Sequence, residues 1–149
     1  MRSILITGGL GFIGTHTCYS LLCKQYTIYV IDSLTNSSIS SLTNVLNLYR
    51  KDFPMSANTI NFTKGDIRDL ETLERLFITA KNDGNPIEGV IHFAGLKAVA
   101  ESIIHPSVYW DINVKGTINL LKAMDKYGCK TIVYSSSATV YGASNKSPI

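Results

Sequence analysis

Concentrated charge is what this chain most plainly lacks: charged side chains make up 17% of its 149 residues, and no run of like charge exceeds a few positions. A disordered tail of one sign is thereby excluded. The net charge of +3 is spread over scattered Lys and Arg, without the basic stripe that would neutralise a row of phosphates, so no nucleic-acid partner is expected. Cysteine is sparse too: Cys18, Cys23 and Cys129 form neither a CxxC pair nor an even framework. That argues against a disulfide scaffold and a zinc site, and predicts no metal and a reducing, cytoplasmic setting. The apolar stretch Ile4 to Ile6 meets Gly8-Gly9 at once, too soon for a signal-peptide core or a membrane span, so no membrane partner is expected.

What is present is a 45% hydrophobic chain, enough for one core but not two. Ser3 to Thr7, Thr27 to Ile31, Thr59 to Thr63, Val90 to Ala94 and Thr131 to Tyr134 read as short apolar strands. Between them lie helical patterns. One runs from about Phe12 to Lys24, and one follows a polar loop in the Ser-, Thr- and Asn-rich stretch after Ser33, where a low-complexity linker is the other reading. A third is capped by Asp69 and broken by Asn85-Pro86; the last starts at Pro106, carries Val108, Ile112, Leu120, Leu121 and Met124 toward the core, and stops at Gly128. Strands alternating with amphipathic helices predict an α/β, doubly wound, Rossmann-like parallel sheet with helices on both faces.

Gly8, Gly11 and Gly14 recur every three residues, and Gly9, Gly11 and Gly14 satisfy the denser GxGxxG register. Placed between a strand and a helix, such glycines let the chain turn tightly and let backbone N–H groups approach a pyrophosphate. A purely structural turn is the competing reading. Asp32 follows Gly14 by 18 residues, at the end of the second strand, where a carboxylate accepts both ribose hydroxyls of an adenosine; capping a loop or helix is its other use. No Lys or Arg stands between Ser33 and Ser38 to neutralise a 2′-phosphate, so the expected cofactor is NAD and not NADP. Asn113 and Gly116 are unfavourable inside a predicted helix. Asn113 is expected to hold loop backbone near the cofactor, and Gly116 to admit the sheet closely, with plain packing an equal explanation of Gly116.

Thr7 to Gly14, Gly65-Asp66-Ile67, His92 to Val99, Asn113 to Thr117 and Ser135 to Gly142 together resemble the extended short-chain dehydrogenase/reductase family. Within it, His92 to Ser102 and the Ser-Ser-Ser-Ala-Thr-Val-Tyr-Gly run are closest to the UDP-hexose 4-epimerases, with Phe12, Ser33 and Ala100 as mild departures. The resemblance implies an isomerase interconverting UDP-glucose and UDP-galactose by NAD-mediated hydride abstraction and return at C4, homodimeric when complete. Residues 1–149 would then be its NAD-binding domain, incomplete before the last strands and the substrate domain. Gly8, Gly11, Phe12, Ile13 and Gly14 would meet the phosphates. Asp32, Ser33, Leu34, Thr35, Asn36 and Ser37 would surround the adenosine ribose, and Asp66 and Ile67 would flank the adenine. Phe93, Ala94, Gly95, Leu96, Lys97 and Asn113 would line the rest.

Each has a plainer use: Asp66 as a turn cap, Lys97 as a solvated loop lysine, His92 as a packed strand histidine and no catalyst. Ser137 would be the catalytic serine, hydrogen-bonding the sugar 4-hydroxyl. The family's Tyr base also needs a Lys four residues later to lower its pKa. The residues four after Tyr19, Tyr26, Tyr29, Tyr49, Tyr109, Tyr127, Tyr134 and Tyr141 are Cys23, Val30, Ser33, Phe53, Asn113, Thr131, Ala138 and Asn145, so the pair is expected beyond Ile149 and the chain alone is expected to be inactive. A sugar-nucleotide dehydratase or decarboxylase relative, and a non-catalytic NAD-binding module, are the alternatives.

Overall fold

Alternation in two strands sets the layers. Along β1 (Ser3–Thr7) Leu5 and Ile6 point to opposite sides, and along β2 (Thr27–Asp32) Ile28 and Val30 oppose Tyr29 and Ile31. Both strands are buried on both faces, which in a parallel sheet demands helices on both. The protein is described by a computed structural model, which places residues 2–137 and Val140.

The remaining elements follow in chain order as α1 (Phe12–Cys23) before β2, then α2 (Ile39–Asp52), β3 (Ile60–Lys64), α3 (Leu70–Asn82) and β4 (Ile87–His92). After these come α4 (Val99–Ile104), α5 (Pro106–Tyr109), a π-helical stretch Trp110–Lys115, α6 (Gly116–Lys126) and β5 (Thr131–Tyr134). Every strand pair is parallel and the order is β3-β2-β1-β4-β5, the doubly wound sheet that the sequence predicts. One core packs α1 and α2 on the Ile6, Ile28 and Val30 side; the other packs α3 and α6 on the Leu5, Tyr29 and Ile31 side. Order reverses between β1 and β4, and the crevice at the carboxyl ends of those two strands is where such sheets take their ligands.

Local signals explain the helix ends. Asp69 caps α3, its carboxylate accepting from the Glu71 and Thr72 N–H groups. That helix ends at Asn82 with Gly84 at φ +76, two residues before Pro86. Gly128, at φ +75, ends α6 by the same left-handed turn, with Cys129 N–H returning to Met124 O at 2.9 Å.

Four expectations are corrected. β4 begins at Ile87, not Val90, because Glu88 is exposed and Gly89 fits between Ile4 and Thr131; Phe93 and Ala94 therefore lie in the loop beyond it. The helix from Pro106 is broken into three parts, with the π-helical stretch in the middle. Val108 and Leu121 are exposed and do not enter the core: at 3.6 residues per turn, α6 turns Gly116, Asn119, Leu120, Ala123 and Met124 inward, which places Ile118 and Leu121 on the far side. Gly116 makes room not for the sheet but for Ile67, whose Cδ1 lies 2.6 Å from where a Cβ would stand.

Among the described residues β5 has a strand neighbour on one side only, and Val133 and Tyr134 are more than half exposed. An open apolar edge invites pairing with another chain, so the 149-residue chain is expected to self-associate. Sedimentation showing a stable monomer at high concentration would exclude this. No helix among the described residues is long and apolar enough to cross a membrane.

Candidate functional site

The turn after β1 begins at Gly8, in the left-handed region at φ +66. A Cβ there would lie 2.7 Å from the Ala94 backbone nitrogen, so the turn presses directly on the loop after β4. Gly14 is equally confined, with its Cβ position 2.5 Å from Gly8 O, so α1 rests on the turn itself. Gly11 differs. A Cβ there meets, beyond its chain neighbours, only Gly8 O at 3.4 Å, and Gly11 lines a recess together with Leu10, Phe12, Thr15 and Ser37. Gly11 is the N-cap of α1 and offers no side chain to it. The amides of Phe12, Ile13 and Gly14 thus have no intrahelical acceptor and carry the positive end of the helix dipole. The Phe12 and Ile13 side chains are exposed, leaving their backbone as the part directed to the turn.

Asp32, buried at the end of β2, joins the two loops beside this helix start. Its Oδ2 accepts from Leu10 N–H at 3.0 Å; its Oδ1 accepts from Leu34 N–H at 2.9 Å and from Ser37 Oγ at 2.7 Å. Leu34 takes φ +62 to make that bond, a left-handed backbone that costs a non-glycine residue about 1–2 kcal/mol. Ser33 and Thr35 hydroxyls pair at 2.9 Å, and Asn36 is exposed.

Across the crevice, Phe93 N–H donates to Thr7 O at 3.0 Å, and the loop 93–97 is then gripped by Asn113 from the π-helical stretch. Asn113 Oδ1 accepts from Leu96 N–H at 2.8 Å and its Nδ2 donates to Leu96 O at 2.9 Å. Asn113 does hold loop backbone, as expected, and Gly95 lies against its carbonyl. Lys97 is exposed.

Asp66 and Ile67 sit on the turn after β3, whose Gly65 N–H donates to Asp32 O at 3.1 Å. Asp66 does cap its turn, accepting from Arg68 N–H at 2.8 Å. Its carboxylate also pairs with the Arg68 guanidinium at 2.7 Å, which holds the Asp66 pKa below the usual carboxylate range. Arg68 reaches Asp111 as well, at 2.8 Å, and Asp111 is held low by Arg68 and Lys115 together. This exposed network fastens the turn to the π-helical stretch while contributing little to stability.

His92 is a packed strand histidine, as expected, 2% exposed, its pKa pushed down to about 4 by burial. Ser137 is exposed shortly after β5, its carbonyl accepting from Val140 N–H at 3.2 Å. Ala138, Thr139, Tyr141 and Gly142 of the same run lie outside the described residues.

Two groups of expected residues are thus brought together: Gly8 to Gly14 with Asp32 to Ser37, and Phe93 to Lys97 with Asn113. They meet along Thr7, Gly8 and Ala94. Reading the sequence missed Leu10, Thr7, Arg68 and Thr117, whose partners stand far along the chain. No three His, Cys, Asp or Glu among the described residues group as metal ligands.

Known proteins resemble this chain in sequence and in fold. UDP-glucose 4-epimerase of Bacillus subtilis (strain 168) is 48% identical over 147 residues, covering 99% of this chain and 40% of that protein. UDP-glucose 4-epimerase 3 of Oryza sativa subsp. japonica is 47% identical over 146 residues, 98% of this chain and 37% of that protein. Among solved structures, the Bifidobacterium longum UDP-glucose 4-epimerase in complex with NAD+ and UDP matches with a TM-score of 0.87 at 42% identity, over 99% of this chain and 41% of that one. The chain therefore spans about 40% of the length of these relatives. The family model for GDP-mannose 4,6 dehydratase matches residues 5–149. Because that match takes in the glycine turn, the loop after β4 and the serine run after β5, the chain belongs to the GDP-mannose 4,6 dehydratase family.

Proposed function

We propose that this chain is the NAD-binding domain of a UDP-hexose 4-epimerase acting on UDP-glucose and UDP-galactose. The observation that carries the reading is the placement of Asp32: a buried carboxylate fastening the glycine turn to the serine loop, beside a helix start that no side chain caps. The similarity to an epimerase structure holding NAD+ and UDP supports it.

The residues fit a dinucleotide. Gly11 leaves open the space a Cβ would fill, and the Phe12, Ile13 and Gly14 amides offer donors to a pyrophosphate, while the Gly8 N–H is given to Ile31 O and shapes the turn. Asp32, with about four lone-pair sites of which three are used, accepts one ribose hydroxyl at once and a second when the Ser37 hydroxyl turns away. Ser33, Leu34, Thr35 and Asn36 complete that wall. Asp66 and Ile67 would flank the adenine, and Phe93, Ala94, Gly95, Leu96 and Lys97, braced by Asn113, would line the remainder. NAD, when bound, supplies the hydride acceptor and donor for sugar C4. Ser137 would hydrogen-bond the sugar 4-hydroxyl.

A homodimer is the assembly this reading carries, and Val114, Ile118 and Leu121, spaced four and three apart and each more than two-fifths exposed, give a second copy an apolar face.

Binding titrations test the cofactor. The Asp32 carboxylate repels a 2′-phosphate, so NAD(H) is expected to bind at least tenfold more tightly than NADP(H), about 1.4 kcal/mol, and Asp32→Ala to erode the difference. Lys64, opposite Asp32 on β3, is the basic residue to watch. Equal or tighter NADP(H) binding, lost on Lys64→Ala, would overturn the assignment.

A further inference from the structure

His92, buried at the end of β4 between Thr7 and Thr117, has hydrogen bonds with one consistent proton order. Thr117 Oγ1 stands 2.6 Å from Asn113 O, and a carbonyl can only accept, so the Thr117 hydrogen is committed there. Toward His92 Nε2, at 2.9 Å, Thr117 can then only accept, which places the imidazole hydrogen on Nε2. A neutral ring has one N–H, so Nδ1 is bare and accepts from the Thr7 hydroxyl at 2.6 Å. Thr7 Oγ1 in turn accepts from Ala94 N–H at 3.2 Å. Burial, which disfavours the imidazolium, agrees with a neutral ring. The chain runs in one direction, from Ala94 N–H through Thr7, His92 and Thr117 to Asn113 O, with every hydrogen used once.

We propose that His92 is a positioning residue that fixes the loop 94–96 between the glycine turn and the π-helical stretch, acting as a neutral Nε2–H tautomer on Thr7 and Thr117. Its ends are the points that matter to the site. Thr7 directly precedes Gly8, and Ala94 opens the loop whose Leu96 is held on both backbone groups by Asn113. Thr7 is fully buried and His92 nearly so, so no water replaces a lost partner and the remaining groups must shift. The value of this arrangement to the cofactor rests on the NAD reading above; the tautomer and the loop restraint do not.

The test uses ¹⁵N-labelled protein, in which His16 and His105 are the other histidines, assigned by substitution. At neutral pH the His92 ring is expected as the Nε2–H tautomer, and Thr117→Val is expected to displace that signature and speed amide exchange at Ala94 and Leu96 selectively. Thr117→Ser, which keeps the hydroxyl, restores both. Leu120→Ala, a loss in the same helix without a polar partner, lowers overall stability without the selective change. In NAD titrations Thr117→Val weakens binding about tenfold and Thr117→Ser does not. An Nδ1–H tautomer, an imidazolium at neutral pH, or unchanged Ala94 and Leu96 exchange in Thr117→Val would overturn the proposal. So would NAD affinity equal to wild type in a folded Thr117→Val. If the unsubstituted protein binds no NAD, the cofactor reading fails and the tautomer and exchange results decide this proposal by themselves.

Discussion

Gly11→Val is expected to leave a folded protein that has lost its hold on NAD, whereas Gly14→Ala is expected to destabilise the fold strongly. Both replace a glycine of the same turn, and their neighbours separate them. At Gly14 the added carbon would stand 2.5 Å from Gly8 O and 2.7 Å from Gly9 Cα, which are backbone atoms of the turn and cannot step aside. Overpacking of this kind costs about 3 kcal/mol or more, a large share of a domain's usual stability of about 5–15 kcal/mol. At Gly11 the carbon meets, beyond its chain neighbours, only Gly8 O at 3.4 Å, and Gly11 itself lines the recess together with Ser37. A branched side chain there costs the fold little and occupies the place proposed for the pyrophosphate. NAD affinity should fall by about a hundredfold or more, which corresponds to about 3 kcal/mol, while circular dichroism and thermal midpoint stay near the parent's. Unchanged affinity in a folded Gly11→Val would show that the turn is structural only and would remove the main support for the cofactor reading.

The contrast between these two glycines also marks what the sequence could and could not say. Their spacing between an apolar run and an amphipathic one announced the turn, because strand and helix periodicities are local. Asp69 and Gly128 were legible for the same reason, each acting on residues within one turn of itself. The register at which α1 presses on Gly8, leaving room at Gly11 alone, depends on the turn's three-dimensional path and has no local signal. The bracing of the site is longer-ranged still. Thr7 meets His92 across 85 residues, and Arg68 meets Asp111 across 43. Neither pair has a spacing motif, and both exist because the β1–β4 switch and the packing of α3 on α6 bring distant segments together. Leu34 shows a different limit. An apolar side chain gives no sign of a left-handed turn, yet Leu34 takes one before α2, where its N–H bonds the Asp32 carboxylate. Val108 and Leu121 mislead by the same rule in reverse: hydrophobicity marks a face to be covered, and it does not say whether the sheet or another molecule covers it.

The second large effect concerns turnover. Incubated with NAD and UDP-galactose, the purified 149-residue chain is expected to form no UDP-glucose, although it carries Ser137 and the whole proposed cofactor wall. Oxidation at sugar C4 requires the 4-hydroxyl proton to leave, and a serine with an ordinary hydroxyl pKa cannot take it unaided. A phenol can do so near neutrality only with a cation beside it to lower its pKa, and none of the eight tyrosines here is followed by a lysine four residues on. Tyr141 comes nearest, with Asn145 in that place and Lys146 one position later. The recess and crevice described above also account for a dinucleotide but leave the UDP group without a holder, and an unanchored sugar forfeits the advantage of being positioned. In a longer protein that joins this chain to a Tyr-x-x-x-Lys segment, activity is expected to appear, and Ser137→Ala there to lower kcat by about a hundredfold or more with NAD affinity unchanged. Turnover by the 149 residues alone would overthrow the division of labour argued here. Full activity of the longer protein carrying Ser137→Ala would instead strip Ser137 of its role while leaving the cofactor wall intact.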